Sequence, residues 1–242
     1  MFFWLCPAPG AALKRDAQAL ANRVRAALGK LRDPTRAPAM QAYMKSAMPY
    51  LGIAAASRRK QVRALSRTHV PLGRRDFESV VLDLWRRARF REERYAAVDI
   101  LLDPRHAQFM DLDLLPTLEE LIVDGAWWDY VDGIASHAIG TLLERHPAKM
   151  RPTLLRWAKG KDIWKRRSAI LSQLGFKSHT DDAFLLACIE PSLDCEEFFL
   201  QKAIGWALRQ RAWSDPRVTR RLVRRLGDRL SPLARREALK NL

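Results

Sequence analysis

The chain predicts an all-α fold built as a solenoid of helical repeats, and three observations carry that expectation. From about residue 35 onward apolar residues recur at helical spacing, as in Val80, Val81, Leu84 and Trp85, and again in Tyr95, Val98, Leu101 and Leu102. Strand-like alternating runs are absent, and Pro104, Pro116, Pro147, Pro152, Pro191, Pro216 and Pro232 fall between the periodic windows, where helices start or stop. Aromatic-led helical segments also recur: FREERYAAVDI from Phe90, WDYVDGIASHAI from Trp128, WKRRSAILSQL from Trp164 and FLQKAIGWAL from Phe199.

The starts of those segments lie 38, 36 and 35 residues apart, close to the length of a HEAT-type unit of two or three helices. In such a solenoid each unit stacks on its neighbours, so equivalent helices stand side by side and line one concave surface. Residues far apart in sequence then share a groove.

In chain order, the first segment is MFFWLCPAPGAALKR. Its apolar run lacks the preceding positive charges of an export signal, and Lys14 and Arg15 follow it instead. Residues 1–35 are therefore expected to form an extension, partly disordered or a short helix, or to reflect a start codon placed too early. Residues 36–242, without a Gly/Ser/Pro-rich linker, are expected to form one domain. The three cysteines, Cys6, Cys188 and Cys195, form no CxxC spacing and no disulfide framework, which suits a reducing cytoplasm.

Charge narrows the partner. The chain has 43 Lys and Arg against 27 Asp and Glu, a net +16, with a pI of about 10.5. That excess points to a polyanion. No apolar run approaches the ~20 residues of a spanning helix, and the basic segments are spread along the chain, so nucleic acid is expected over a membrane. One basic cluster is SRRKQVRALSR at 57–67. Another lies between 205 and 242, where eleven Lys and Arg meet three acids and Arg217, Arg221, Arg224 and Arg225 sit opposite Val218, Leu222 and Leu226. Such same-sign runs read as phosphate contacts.

Against this basic background the stretch DGAWWDYVDG, residues 124–133, concentrates acid and indole. Trp128 and Asp132 are i and i+4, one above the other on a helix. Arg167 follows Trp164 by three residues, and Trp206 follows Phe199 by seven, two full turns. On a helix Trp127 and Trp128 would diverge by roughly 100°, so one is expected to be buried and one exposed. Trp127 and Trp164 are assigned to the core. The groove then holds a carboxylate, a guanidinium, Trp128 and Trp206.

The stretches YMKSAMPYLGI (43–53), LEELIVDGAWWDYVD (118–132), DIWKRRSAIL (162–171), EEFFLQKAIGWALR (196–209) and SPLARREALK (231–240) resemble, in order and spacing, the AlkD-like alkylpurine DNA glycosylases, a HEAT-like family of DNA alkylation repair enzymes. The resemblance covers about residues 35–242. It implies a concave, basic DNA-binding groove with Trp128, Asp132, Arg167 and Trp206 as the functional groups. Candidate DNA contacts are Tyr43, Lys45, Arg58, Arg59, Lys165, Arg166, Lys202, Arg209, Arg235 and Arg236. The implied partner is double-stranded DNA containing alkylated purines. A monomer in the cytoplasm is expected, with no cofactor, no metal and no obligate protein partner.

The chemistry fits those groups. Alkylation at purine N3 or N7 puts positive charge on the base and makes it a good leaving group, so no general acid is needed. Cationic character then develops on the deoxyribose, as in glycoside hydrolysis. A fixed anion and electron-rich ring faces stabilise it. Asp132 would supply the anion and orient water, Trp128 and Trp206 the faces, and Arg167 a bidentate hold on a nearby phosphate. The family grips the backbone and cleaves with the base left in the duplex, unlike enzymes that extrude their target.

Two other classes stay open on the sequence alone. A non-catalytic HEAT-like scaffold would keep the basic face but has no need of Asp132 between two tryptophans. A bifunctional lyase could use Lys202, one turn before Trp206, as a Schiff-base nucleophile. A metal enzyme is disfavoured, because His69, His106, His137, His146 and His179 match no zinc spacing.

Overall fold

The computed structural model describes residues 9–69, 71, 73–240 and 242, with side chains from residue 18 onward. Every regular element among the described residues is helical. The helices fall into two compact units, residues 1–109 and 110–242.

The first unit contains α1 (Pro9–Lys30), α2 (Ala37–Tyr43), α3 (Ala55–Thr68), α4 (Arg74–Arg86) and α5 (Arg91–Leu101). Its core forms where Phe77, Val81, Leu84 and Trp85 of α4 meet Ala97, Ile100 and Leu101 of α5. The segment expected to be an extension differs from that reading. Met1–Ala8 lie outside the described residues, but α1 runs for 22 residues. It buries Leu20, Ala21, Val24 and Leu28 against α3, α4 and α5. Those four residues follow a helical period, so one face of α1 is apolar and belongs to the core.

The loop between α2 and α3 is fixed by a buried carboxylate. Glu92 on α5 is fully buried and accepts the backbone N–H groups of Leu51 at 2.9 Å, Gly52 at 2.9 Å and Ile53 at 3.1 Å. These donors would otherwise be orphaned inside the protein. Gly52 has φ +85, and a Cβ there would sit 2.0 Å from the Asp33 carbonyl oxygen. Only glycine fits.

The second unit contains α6 (Leu115–Gly125), α7 (Trp128–Gly133), α8 (Gly140–Arg145), α9 (Pro147–Ala158), α10 (Ile163–Leu171), α11 (Asp182–Ile189), α12 (Phe198–Ala212), α13 (Pro216–Leu226) and α14 (Pro232–Leu239). A π-helical segment, Ile134–Ile139, joins α7 to α8. One apolar cluster runs from Ala135 through Ile170, Leu186, Leu200 and Leu222 to Ala238. The repeat read from sequence is in phase with the helices: Phe90 immediately precedes α5, Trp128 opens α7, and Trp164 and Phe199 are the second residues of α10 and α12. Within this unit α10 touches both α7 and α12, the neighbour-on-neighbour stacking that a repeat array requires.

Candidate active site

The double tryptophan straddles a helix start. Ala126, which ends α6, is left-handed (φ 40, ψ 38), and Trp127 is extended (φ −155, ψ 144). Helical geometry begins only at Trp128, so the two indoles part because the chain turns between them. Trp127 packs its ring 6.1 Å from Trp164 and 5.2 Å from Phe199, and the last two lie 5.2 Å apart. These tilted and edge-on contacts tie together the starts of α7, α10 and α12. The expected split into one buried and one exposed indole is not seen: Trp127 joins the ring cluster of Trp164 and Phe199 but is half-buried, and Trp128 is half-buried too, one helical turn from Asp132.

Asp132 comes at the end of α7, where the π segment starts; Ser136 Oγ donates to its backbone oxygen at 2.6 Å. Such segments inside helices frequently mark functional sites. Arg167 is placed by α10, which Asp162 caps by accepting from Trp164 N at 3.0 Å and Lys165 N at 2.8 Å. From there Arg167 Nε donates to Asp132 Oδ1 at 2.6 Å and Nη2 to Oδ2 at 2.8 Å, a fork-on-carboxylate pair. Nη1 donates to the Phe199 carbonyl in the first turn of α12. The guanidinium thus links three repeats.

This differs from the expected phosphate clamp. The Arg167 side chain is 5% exposed and spends its donors inside the protein, whereas the Asp132 side chain is 16% exposed. The carboxylate is the member of the pair that reaches solvent. Burial pushes the Asp132 carboxyl up; the Arg167 bonds and charge pull it down, and the nearby Asp129 pushes it up again, with a net rise.

Trp206 lies on α12, half-buried against the apolar cluster. The glycine before it permits close packing: a Cβ on Gly205 would meet Glu237 Cβ at 2.5 Å and the Ala234 carbonyl oxygen at 2.8 Å on α14. Trp213, which caps the C-terminus of α12 seven residues after Trp206, is 74% exposed. The sequence reading passes over it, although the seven-residue step from Phe199 to Trp206 continues to Trp213.

The candidate DNA contacts divide by what holds them. Tyr43, Lys45, Arg59 and Arg236 are exposed. Arg58 is buried, donates to Asp99 at 2.7 Å and lies over the Tyr95 ring, so its guanidinium faces the interior of the first unit. Lys165 is paired with Glu119 and stands over Trp157. Arg166 donates to the Pro191 carbonyl at 2.7 Å and to Ser192 at 3.2 Å, and Arg235 donates to the Gly227 carbonyl. Lys202 and Arg209 share Glu237, at 2.9 and 2.6 Å, and hold its carboxyl below the usual range, Lys202 most strongly. Burial pushes the Cys188 thiol up to about 12, which leaves no thiolate for nucleophilic work.

No helix among the described residues is long and apolar enough to cross a membrane. No curated protein matches the chain. A solved structure from Enterococcus faecalis, a predicted DNA alkylation repair enzyme, is 31% identical, with the match covering 87% of this chain and 96% of that one at a TM-score of 0.78. The family model for DNA alkylation repair enzymes matches residues 24–242. That match begins inside α1 and takes in every element that builds the Asp132–Arg167 pair, and the chain belongs to the DNA alkylation repair enzyme family.

Proposed function

We propose that the protein is a monofunctional DNA glycosylase that hydrolyses the N-glycosidic bond of cationic N3- and N7-alkylated purines in duplex DNA, as a first step of base excision repair. The observation that carries this reading is the bidentate Asp132–Arg167 pair, in which the acid is the solvent-reaching member. A carboxylate held in one orientation in a site largely shielded from water stabilises a developing sugar cation without reorganising when charge appears. Breaking the bond moves its electron pair onto the alkylated base, which leaves neutral. Water, oriented by Asp132, adds to the anomeric carbon and gives up a proton.

Trp128 and Trp206 supply ring faces beside the sugar. Arg167 positions Asp132 and favours its anion. The DNA backbone is gripped instead by exposed cations, with Lys45, Arg59 and Arg236 as candidates. Because the lesion's own charge weakens the bond, the base is cleaved without being extruded, and neutral lesions such as uracil are left in place. The site acts within one chain, in the cytoplasm.

The test is single-turnover release of 7-methylguanine from a defined duplex by wild type and Asp132→Asn, with binding measured in parallel. Release should collapse in the variant while binding survives. A wild type that binds the duplex but releases nothing would mean a non-catalytic DNA-binding scaffold. Equal activity on a uracil-containing duplex would remove the cationic-lesion reading.

A further inference from the structure

α13 stands apart from the site just described. Its sequence, PRVTRRLVRRL, has five arginines and no acid. At 100° per residue Arg217, Arg220, Arg221, Arg224 and Arg225 fall within about 140° of arc and span about 12 Å of helix axis. All five are exposed. Among the described residues none of them forms a side-chain hydrogen bond or ion pair. Arg221 acts only at a distance: the carboxyl of Asp215 is held down chiefly by the Val218 N–H, and the charges of Arg211 and Arg221 add to that. The opposite half of the helix, Val218, Leu222, Val223 and Leu226, is buried in the core.

The arginines therefore stack like charge on like charge at i, i+3 and i, i+4, a self-repulsion that the fold bears and a bound polyanion relieves. A solvated face needs polarity, not five unpaired cations of one kind. Each guanidinium also offers a planar fork matched to phosphate oxygens, which an ammonium does not. A membrane surface fits poorly, because Val218, Leu222, Val223 and Leu226 are already committed to the core and α13 has no free apolar face to enter a bilayer.

Thr219, on the side of α13 opposite the arginine arc, donates to the Leu208 carbonyl of α12 at 3.2 Å, so the inner face of α13 is held against α12 and the arginines are left outward.

We propose that the outer face of α13 is a second DNA-backbone contact, which holds lesion-free duplex through its phosphates while the Asp132 groove reads damage elsewhere. It rests on the reading of DNA as the partner. It would let the protein stay bound to undamaged DNA during search, since backbone contacts carry no sequence information.

The test is binding of the full chain to a lesion-free duplex across a salt series, for wild type, a variant with all five arginines changed to Gln, and one with all five changed to Lys. The Gln variant should bind more weakly, with a log–log salt slope shallower by about 0.9 for each phosphate no longer neutralised. The Lys variant should keep most of the slope. An unchanged slope and affinity in the Gln variant overturns the proposal, and so does a variant that loses only its binding to phosphatidylserine vesicles. If the five-fold Gln variant melts early, Arg221→Gln with Arg224→Gln gives the same reading. A wild type with arginine-dependent binding that releases no alkylated base sinks the glycosylase reading alone and leaves this surface standing.

Discussion

Arg167 reaches across 35 positions of sequence to place Nε and Nη2 on the two carboxylate oxygens of Asp132, at 2.6 and 2.8 Å, and its remaining nitrogen, Nη1, on the Phe199 carbonyl. One side chain thus fixes the acid of one repeat against the first turn of another. Breaking such a pair on the arginine side leaves a carboxylate with neither orientation nor compensation, while breaking it on the acid side strands a buried guanidinium. Positioning and charge are one property here.

The two neighbours of Asp132 should move its titration in opposite directions. Burial raises the carboxyl, Arg167 opposes the rise and Asp129 adds to it. If the anion is the working form, single-turnover release falls as pH drops through the raised pKa. Arg167→Gln removes the opposing charge, so the acid limb should move to higher pH; Asp129→Asn removes a like charge, so it should move lower. Profiles that coincide with wild type in both variants would show that Asp132 is not the group being titrated.

Much of the fold is legible in the sequence because helical periodicity is local. The four aromatic-led segments coincide with the starts of α5, α7, α10 and α12, and the 36- and 35-residue steps bring Asp132, Arg167 and Phe199 together. Periodicity does not say where a long side chain spends its donors. Arg58 on Asp99, Lys165 on Glu119, Arg166 on Pro191 and Ser192, and Arg167 on Asp132 all depend on partners 25 to 46 positions away. Helical neighbours on both sides make Trp127 look helical too, whereas the left-handed Ala126 sets it in an extended conformation. Nor can spacing identify Glu92, an acid in the interior whose three backbone partners come from the loop between α2 and α3.

Gly205→Ala is expected to destabilise the protein by about 1–3 kcal/mol through overpacking. The new Cβ meets Glu237 Cβ at 2.5 Å and the Ala234 carbonyl oxygen at 2.8 Å, and a carbonyl in a helix cannot swing aside. α14 must move away from α12, which disturbs the Glu237 pairs to Lys202 and Arg209. Urea denaturation monitored by tryptophan fluorescence reads this directly; an unchanged midpoint would mean that the two helices separate without cost.

Glu92→Gln tests whether the carboxylate fixes the loop of residues 51–53. Oε1 accepts from Gly52 and Ile53, Oε2 from Leu51. An amide keeps one acceptor, but its NH2 then faces a backbone N–H, donor against donor, in a fully buried position. The expected loss is about 1–3 kcal/mol. Hydrogen exchange at Leu51 should accelerate more than at Gly52 and Ile53; uniform exchange with unaltered stability would contradict the assignment.

Lys202 decides between a hydrolytic and a lyase mechanism. To form a Schiff base its Nζ must be free to reach the anomeric carbon. It instead lies 2.9 Å from Glu237, an acid it shares with Arg209, on the side of α12 that meets α14. Borohydride added during turnover on a 7-methylguanine duplex should therefore trap no protein–DNA adduct, and the product should be an intact abasic strand. A trapped adduct that disappears in Lys202→Gln would place the amine at the sugar and make this a lyase.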